Sequence, residues 1–230
     1  VGLPRSRFAG GPSILHRYAS RFNAVEINSS FYRPHQRKTY ERWADSVGAA
    51  FRFAVKAPRT LSHEHRLVGC HAEMGRFVEE VGGLGAKLGA VLVQLPPSLA
   101  FDPSTALTFF ETFTSLLDVP VVCEPRHASW FSGEVDRQLR HLGVARVAAD
   151  PAIHPVAGEP GGSGSVVYYR LHGMPDIYAS SYSQDALDIY ADRLTISARK
   201  WVPTWCIFDN TMHGHATGNA LRLGDMLVAG

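Results

Sequence analysis

Short apolar runs that end in polar residues recur seven times along the chain, and longer segments with helical periodicity follow them. The runs are rich in Val, Ile and aromatic residues, as β-strands are. They cover residues 24–28, 51–56, 90–95, 119–124, 144–150, 166–172 and 204–210. After the second run, Met74, Phe77, Val78 and Val81 recur at three- and four-residue spacings. That spacing predicts a helix with one apolar face.

The spacing of the runs predicts how the strands are connected. Their starts lie about 22 to 40 residues apart, which favours parallel strands joined by helical crossovers over hairpins. Ser13 can cap a helix before the first run, and such a helix normally follows an earlier strand. We therefore predict an α/β protein, a (β/α)8 TIM barrel in a single domain over residues 1–230. Its first strand is truncated or missing, unless residues 1–3 are its remnant.

A doubly wound open sheet is the alternative fold, because seven strand–helix units would also suit it. Such a sheet expects a glycine-rich phosphate loop after its first strand. The sequence has no such loop there. The glycines at 82, 83, 85 and 89 precede a strand and indicate a helix end and a turn.

Composition narrows the class of protein. The chain has 230 residues, 45% of them hydrophobic and 19% charged, with a formal net charge of +2, so a nucleic-acid surface is not favoured. The one short basic segment covers residues 33–38. Three cysteines without a Cys-x-x-Cys pair indicate a reducing compartment. No apolar run reaches the roughly 18 residues of a membrane span, so we expect a cytoplasmic protein with no membrane partner.

Each of the seven predicted strands has a polar residue at or next to its last position, and the active sites of parallel barrels lie at the carboxyl ends of the strands. Side chains alternate between the two faces of a strand, so alternate residues share a face. By this rule we predict a charged ring at the carboxyl end of the barrel. Its members are Glu26, Asn28, Lys56, Gln94, Glu124, Arg126, Asp150, Arg170, His172 and Asn210, with His127 beside them. An ion-pair network that only closes the core is the alternative.

The ring suggests an enzyme that handles a small anionic or sugar-like substrate by acid/base chemistry, of hydrolase, lyase or isomerase type. Lys56, Arg126 and Arg170 would hold a phosphate or carboxylate. Glu26 or Glu124 would move a proton, with His127 or His172 as its partner. The remaining polar side chains and four aromatic side chains would contact the small-molecule ligand. The aromatic residues are Tyr32, Trp130, Tyr178 and Tyr182.

Other functions stay open at this point. Glu26 and Glu124 could be the acid and the nucleophile of a glycoside hydrolase. A divalent-metal-dependent hydrolase or isomerase would use Glu26, Glu124, Asp150 and His172 as ligands, but the three basic residues would repel the ion, so a metal is not favoured. No organic cofactor is expected. A non-catalytic barrel that binds a nucleotide or nucleic acid would use the same basic side chains, and it is also not favoured.

Several segments together resemble one known family. In chain order they are Val25–Tyr32 (VEINSSFY), Phe53–Lys56 (FAVK), Leu92–Pro97 (LVQLPP), Glu124–Trp130 (EPRHASW), Tyr169–Gly173 (YRLHG), and Asn210–Thr211 with Asn219–Ala220. In this order they are similar to the YecE-like family, a domain of unknown function (DUF72). The resemblance implies a TIM barrel and no established reaction. The sequence departs from the family pattern in lacking its opening Gly-Trp strand and in having Asp209 where Asn is common.

Overall fold

All seven predicted strand segments form strands in a computed structural model that describes residues 7–229. The fifth segment is split in two, and one additional short strand follows it. The strands are β1 (Ala24–Ile27), β2 (Arg52–Lys56), β3 (Leu88–Gln94), β4 (Val121–Glu124), β5 (Ala145–Arg146), β6 (Ala148–Asp150), β7 (Gly161–Gly162), β8 (Val167–Leu171) and β9 (Thr204–Phe208).

Helices connect most of these strands. They are α1 (Ile14–Tyr18), α2 (Ser29–Tyr32), α3 (Arg37–Asp45), α4 (His71–Val81), α5 (Pro103–Ser115), α6 (Gly133–His141), α7 (Gln184–Arg199) and α8 (His215–Ala229). Several of these helices have an N-cap residue whose side-chain oxygen accepts a hydrogen bond from the backbone N–H three residues later. This bond satisfies one of the free N–H groups of the first turn. Ser13, Asp102, Ser132 and Ser183 make these caps, so the predicted cap at Ser13 is confirmed.

The strands form two sheets that meet along one strand segment. The first sheet has the order β1-β2-β3-β4-β5-β7 and the second β6-β8-β9. Every pair is parallel except β5 with β7. Only Val147 separates β5 from β6, and its N–H donates to the carbonyl oxygen of Cys123 on β4 at 2.9 Å. The two sheets are therefore continuous through this segment.

The sheets curve around a common interior. Inward-facing residues of β2, β3, β4, β5, β8 and β9 share one buried apolar cluster. Trp205 on β9 reaches across the interior to β3, where a Cβ added to Gly89 would lie 2.6 Å from Trp205 Cζ2. Tyr168 on β8 stacks on the same indole, with ring centroids 5.8 Å apart. Glycine at position 89 thus lets strands that are distant in the sheet order approach closely.

Hydrogen bonding does not close the sheets into a ring within residues 7–229. No pairing joins β1 to β9 among these residues, and a cleft of about 1050 Å³ lies between them, with Glu26, Asn28, Trp205 and Asp209 in its lining. The structure therefore shows a mixed α/β fold with parallel sheets, and an eight-stranded barrel is not confirmed. The predicted remnant of a first strand, residues 1–3, lies outside the described residues.

A second apolar layer packs between the outer faces of the strands and the helices. Met74, Phe77 and Val81 of α4 are buried in it, as the sequence periodicity predicts. Phe110 and Phe113 of α5 are also fully buried. This layer fixes the direction of the strands, and so it determines which side chains their carboxyl ends bring together.

The connection from β6 to β8 differs from the expected strand–helix unit. It consists of a single 3-10 turn, Pro155–Gly158, followed by β7, with no α-helix among the described residues there. Gly162 has a positive φ of 65°, and its N–H donates to Asp136 at 2.9 Å. A Cβ at Gly161 would lie 2.3 Å from the same carboxylate. The stretch 159–165, rich in Gly, Pro and Ser, predicts a flexible surface loop between two units. In the structure its Gly161 and Gly162 instead pair with β5.

None of the helices in the described part of the chain is long and apolar enough to cross a lipid bilayer.

Candidate active site

Seven charged side chains meet at the carboxyl ends of the parallel strands. Strand register places Arg170 beside Ile207 and Ala149, so these residues share the inner face. The strands are short and parallel, and their last inward-facing residues converge. We refer to these residues as the carboxyl-end cluster: Glu26, Lys56, Glu124, Arg126, Arg170, His172 and Asp209.

Arg170 lies at the centre of the cluster and is fully buried. Its Nε and Nη2 donate to the carboxylate of Glu26, with the shortest contact at 2.7 Å. Its Nη1 donates to Glu124 at 2.6 Å, and Nη2 also donates to Asp209 at 3.0 Å. Every nitrogen of this guanidinium is therefore occupied by a carboxylate. Arg170 therefore organises the three acidic groups.

Glu26 and Glu124 each accept several donors, and Glu124 is held as an ionised group. Glu26 accepts a third donor, the Tyr168 hydroxyl, at 2.7 Å. Glu124 also accepts from Arg126 and lies 2.9 Å from His172 Nε2. Burial alone would raise the pKa of Glu124, but Arg170, Arg126 and His172 outweigh it and hold the pKa well below the ordinary value. A carboxylate in this state is a poor proton donor.

His172 is the group in the cluster that is placed to exchange a proton. It is fully buried, with Nδ1 3.2 Å from Asp209 and Nε2 2.9 Å from Glu124. Burial lowers its pKa, but the hydrogen bonds to the two carboxylates raise it overall. Arg126 Nη2 also lies 2.8 Å from Nε2. Nε2 can accept from Arg126 only when it carries no proton, so the protonation state of His172 decides which neighbour it bonds.

Lys56 differs from the other basic residues of the cluster. It is buried at the end of β2, 8% exposed, and within residues 7–229 its ammonium makes no ion pair or hydrogen bond. Nζ lies 4.0 Å from the centroid of the Phe31 ring. Burial, and then the charge of Arg170, lower the pKa of Lys56 to about 8. The ammonium is thus the cation that the cluster leaves free for a ligand.

Besides Oδ1 of Asn210, which lies outside the cluster, two further polar atoms at this end of the strands are buried and have no partner in the described part of the chain. They are Nε of Arg126, a donor, and Oδ1 of Asn28, an acceptor. Buried polar groups are normally hydrogen-bonded, and the exceptions often belong to binding or catalytic sites. Arg126 is 12% exposed along its side chain. These atoms, with Lys56, provide two donors and one acceptor for a bound molecule.

The structure places Asp150 and Asn210 outside the cluster. Asp150 accepts from the Tyr182 hydroxyl at 2.6 Å on the outer face, where Tyr182 packs with Leu171 and Leu187. Asn210 donates to Ser180 at 2.9 Å and to Asn219 of α8 at 2.8 Å. Tyr182, Asp150 and Asn210 thus fasten a loop and a helix to the sheet.

The remaining predicted residues divide between the cluster's edge and the outer packing. Tyr178 stands edge-on to His172 at 5.6 Å, and Gln94 pairs in register with Glu124. Tyr32 is 74% exposed and contacts Phe31 edge-on. Trp130 is buried, with its indole N–H bonded to Leu99 at 2.9 Å, and His127 caps the short helix Ala128–Phe131. Trp130 and His127 have structural partners away from the cluster.

Sequence reasoning missed three residues that shape the site. Asp209, Tyr168 and Phe31 contact Arg170, Glu26 and Lys56 respectively. A signal for Asp209 was present, because Trp205 and Ile207 of β9 and Asp209 directly after it occupy alternate positions, and the first of them is an inward-facing aromatic. Counting from that residue would have selected Asp209 over Asn210. Tyr168 lies two residues before Arg170 on β8, so the two side chains share a face of the strand. The sequence does not show that the Tyr168 hydroxyl bonds Glu26, because Glu26 is distant along the chain.

Among the described residues, no group of three or more His, Cys, Asp and Glu side chains has an arrangement that could hold a metal ion. Of the metal ligands considered from the sequence, Glu26 and Glu124 are ion-paired with Arg170, and Asp150 lies on the outer face.

The basic segment 33–38 is also separate from the cluster. Arg37 at the start of α3 pairs with Glu41 and bonds the carbonyl of Glu79.

Comparison with known proteins identifies the family. The model of the family described as "Protein of unknown function DUF72" matches residues 7–230. The chain belongs to the DUF72 family. The family membership inferred from the short motifs is therefore confirmed.

Curated DUF72 relatives are distant. The UPF0759 protein YecE of Escherichia coli (strain K12) is 31% identical over 146 residues, which are 61% of this chain and 53% of YecE. The chain therefore matches about half the length of that relative. The UPF0759 protein YunF of Bacillus subtilis (strain 168) is 25% identical over 246 aligned residues, 93% of this chain and 86% of YunF.

Solved DUF72 structures share the fold. A DUF72 protein of Enterococcus faecalis V583 superposes with a TM-score of 0.81 at 20% identity, covering 94% of this chain and 88% of that protein. One from Thermotoga maritima MSB8 superposes with a TM-score of 0.78 at 24% identity, covering 93% and 88%. Likeness at this identity supports the α/β architecture and says nothing of the reaction.

Proposed function

We propose that this DUF72 protein is an enzyme that binds a small anionic or sugar-like substrate at the carboxyl-end cluster and acts on it by acid/base chemistry.

We also propose that its strands belong to a (β/α)8 barrel. In support of the barrel, inward-facing side chains of both sheets share one interior, and Arg170 of β8 reaches Glu26 of β1. A crystal structure with a flat, open sheet would contradict it.

The observation that carries the proposed function is the ammonium of Lys56, which lies in a buried charged cluster and has no ion-pair partner among residues 7–229. Three carboxylates face two arginines, a lysine and a histidine, so with His172 protonated the cluster has one more positive than negative charge. Lys56 and the unpartnered Nε of Arg126 are the donors left to hold an anion. A buried excess of positive charge favours an anionic ligand, since its attraction is screened less than at the surface.

The acid/base role falls to His172 and Lys56. His172 can exchange a proton while it lies between its two carboxylate partners, Asp209 and Glu124, and Lys56 exchanges a proton near pH 8. Groups with a pKa near the working pH are the most effective proton-transfer catalysts. Glu26 and Glu124 serve as fixed negative charges that position Arg170 and His172.

A thermal-shift panel tests this function. The melting temperature is measured with phosphate, sugar phosphates, small carboxylates, neutral sugars and, at several salt concentrations, a short oligonucleotide. A ligand at a hundredfold its dissociation constant adds about 2.7 kcal/mol, which raises the midpoint by roughly 5 to 10 °C at this chain length. The shift should be lost in Arg126→Met and in Lys56→Met. The control, Arg137→Met, removes a surface arginine on α6 and should keep it.

Two results would overturn the proposal. One is the absence of any shift with the whole panel, which would leave the cluster as an ion-pair network that closes the core. The other is a shift that only oligonucleotides produce and that falls steeply with salt, since such a dependence indicates phosphate-backbone contacts.

A further inference from the structure

Lys56 has the surroundings of a lysine that reacts as an amine. We propose that its Nζ forms a reversible covalent imine with the aldehyde or ketone group of a small substrate that also bears a carboxylate or phosphate. This inference rests on the proposed function, because the same cluster binds the substrate, and it adds the substrate class and the attachment atom.

The first argument is the isolation of the ammonium. A carboxylate within ion-pair distance would stabilise the protonated form, which has no lone pair and cannot attack a carbonyl. Three carboxylates belong to the cluster, yet all three are bonded to Arg170, and none is ion-paired with Lys56 in the described part of the chain. The arginine therefore withdraws the acidic groups from the lysine.

The second argument is the apolar contact at Nζ. The Phe31 ring lies 4.0 Å from the nitrogen and is itself packed edge-on against His63, with centroids 5.0 Å apart. Ser30 holds this corner in place, since its hydroxyl donates to the backbone carbonyl of Lys56 at 2.7 Å. The Phe31 ring excludes water from one side of the Lys56 amine, and this loss of hydration favours the neutral amine over the ammonium. A pKa of about 8 agrees with this geometry.

The other lysines of the chain lack these surroundings, which makes the site selective. The sequence has four lysines, Lys38, Lys56, Lys87 and Lys200. Lys87 donates to the backbone carbonyls of Ala44 and Val47, and Lys38 and Lys200 are exposed to solvent. Lys56 alone among them is both buried and without a hydrogen-bond acceptor in the described residues.

Two polar atoms at the same end of the strands, buried and without partners among the described residues, indicate the rest of the substrate. Arg126 has a buried Nε without a partner, and an arginine fork suits a carboxylate or phosphate. Asn28 offers a buried, unpartnered Oδ1 to a hydroxyl group. A 2-oxo acid or a ketose or aldose phosphate combines a carbonyl, an anionic group and, in the sugar phosphates, hydroxyls. In such compounds the anionic group would accept from Arg126, the carbonyl would meet Lys56 and a hydroxyl would donate to Asn28.

The chemical step needs no further reactant. The neutral amine of Lys56 adds to the carbonyl carbon and forms a C–N bond, giving a carbinolamine. The former carbonyl oxygen takes one proton from the amine nitrogen and one from the medium and leaves as water. The product is a cationic imine, with no change of oxidation state. Its positive charge can withdraw electrons from the adjacent carbon, which is the purpose of such intermediates.

Reductive trapping tests the imine. The protein is incubated at pH 8 with sodium cyanoborohydride and, in separate samples, pyruvate, dihydroxyacetone phosphate and acetone, and is then digested and analysed by mass spectrometry. With an anionic carbonyl probe we expect labelling of Lys56 at least tenfold above each of the other three lysines, and much less with acetone. Lys56→Arg should lose the dominant label. Lys87→Arg, the matched control, should keep it.

The outcomes separate this inference from the proposed function. Labelling spread evenly over the lysines, or labelling of Lys56 that acetone matches, overturns the imine with an anionic substrate. If labelling fails while phosphate still raises the melting temperature of the parent, only the imine is rejected. If both fail, the proposed function is rejected as well.

Discussion

At the scale of single residues, the consequences of charge depend on what each side chain contacts. Arg170 and Lys56 are two buried cations in one cluster, but their contacts differ. Arg170 donates to three carboxylates and is held charged, whereas Lys56 contacts an aromatic ring. The first is therefore a structural centre and the second is available for chemistry.

Removing Arg170 should destabilise the protein strongly. Arg170→Met leaves Glu26, Glu124 and Asp209 without their shared partner, and breaking a buried ion pair in this way costs about 3 to 5 kcal/mol. Urea unfolding of parent and variant measures the change. Arg137→Met, which breaks an exposed pair on α6, is the control and should change stability little. A loss below about 1 kcal/mol for Arg170→Met would contradict the central role of Arg170.

Anion binding should weaken as the pH rises through the pKa of Lys56, about 8. The ammonium binds an anion and the neutral amine does not, so the affinity for sulfate should fall up to about tenfold between pH 6 and 10, the equivalent of about 1.4 kcal/mol. Calorimetric titration measures it. Lys56→Arg keeps its charge over this range, and its sulfate affinity should change less. Equal pH dependence in the two proteins would assign the effect to His172.

At the scale of elements, short strands position the cluster by their alternation and register. Arg170, Ile207 and Ala149 lie side by side because β6, β8 and β9 are parallel and in register. Below this polar layer, Trp205 of β9 fills the interior against β3. The place of the charged residues thus depends on apolar packing one layer deeper.

The contact between Gly89 and Trp205 can be tested by a double-mutant cycle. A Cβ at position 89 would meet the indole at 2.6 Å, so Gly89→Ala should cost about 1 to 3 kcal/mol by overpacking. In a Trp205→Phe background the bulky ring is smaller, and the same glycine substitution should cost less. Urea unfolding of the four proteins should show a coupling of about 0.5 to 3 kcal/mol. Additive changes would mean that the two strands do not touch.

At the scale of the whole molecule, the cluster links folding to pH. The pKa of Glu124 and that of Asp209 are lowered on folding, mainly because arginine and histidine charges overcome burial. Their stabilising contribution is present above their unfolded pKa near 4 and is lost as the pH falls through the folded values. The pKa of His172 is raised. Its contribution is full below about pH 6.5 and is lost as the pH rises through its folded value.

Asp209→Asn should reduce both the loss of stability at low pH and the loss of stability as the pH rises through the folded pKa of His172. The amide cannot stabilise the imidazolium as a carboxylate does, so the pKa of His172 should fall toward its ordinary value, and one acid-sensitive group is removed. Urea midpoints from pH 3 to 10, with an NMR titration of His172, measure both effects. An unchanged His172 titration in the variant would show that Asp209 does not set its pKa.

The sequence by itself determined the elements and their order. Apolar periodicity located all seven parallel strand segments, the buried faces of the main helices and the polar residues at the strand ends, because these patterns are local. Motifs in the same order were enough to identify the family. Composition misled only in the connection from β6 to β8, where glycine permits a tight strand pairing.

Only the tertiary structure decided which polar residues meet. The phase of the three-residue strand β6 cannot be read locally, so Asp150 was predicted to point inward, whereas Ala149 occupies the inner face. At the end of β9 only the burial of Trp205, which the tertiary structure gives, selects Asp209 over Asn210. The bond between Arg170 and Glu26 joins residues 144 positions apart, and no local pattern records it. Such long-range pairing uses up the carboxylates and leaves Lys56 free, because each acidic group bonds the donors that the fold brings nearest.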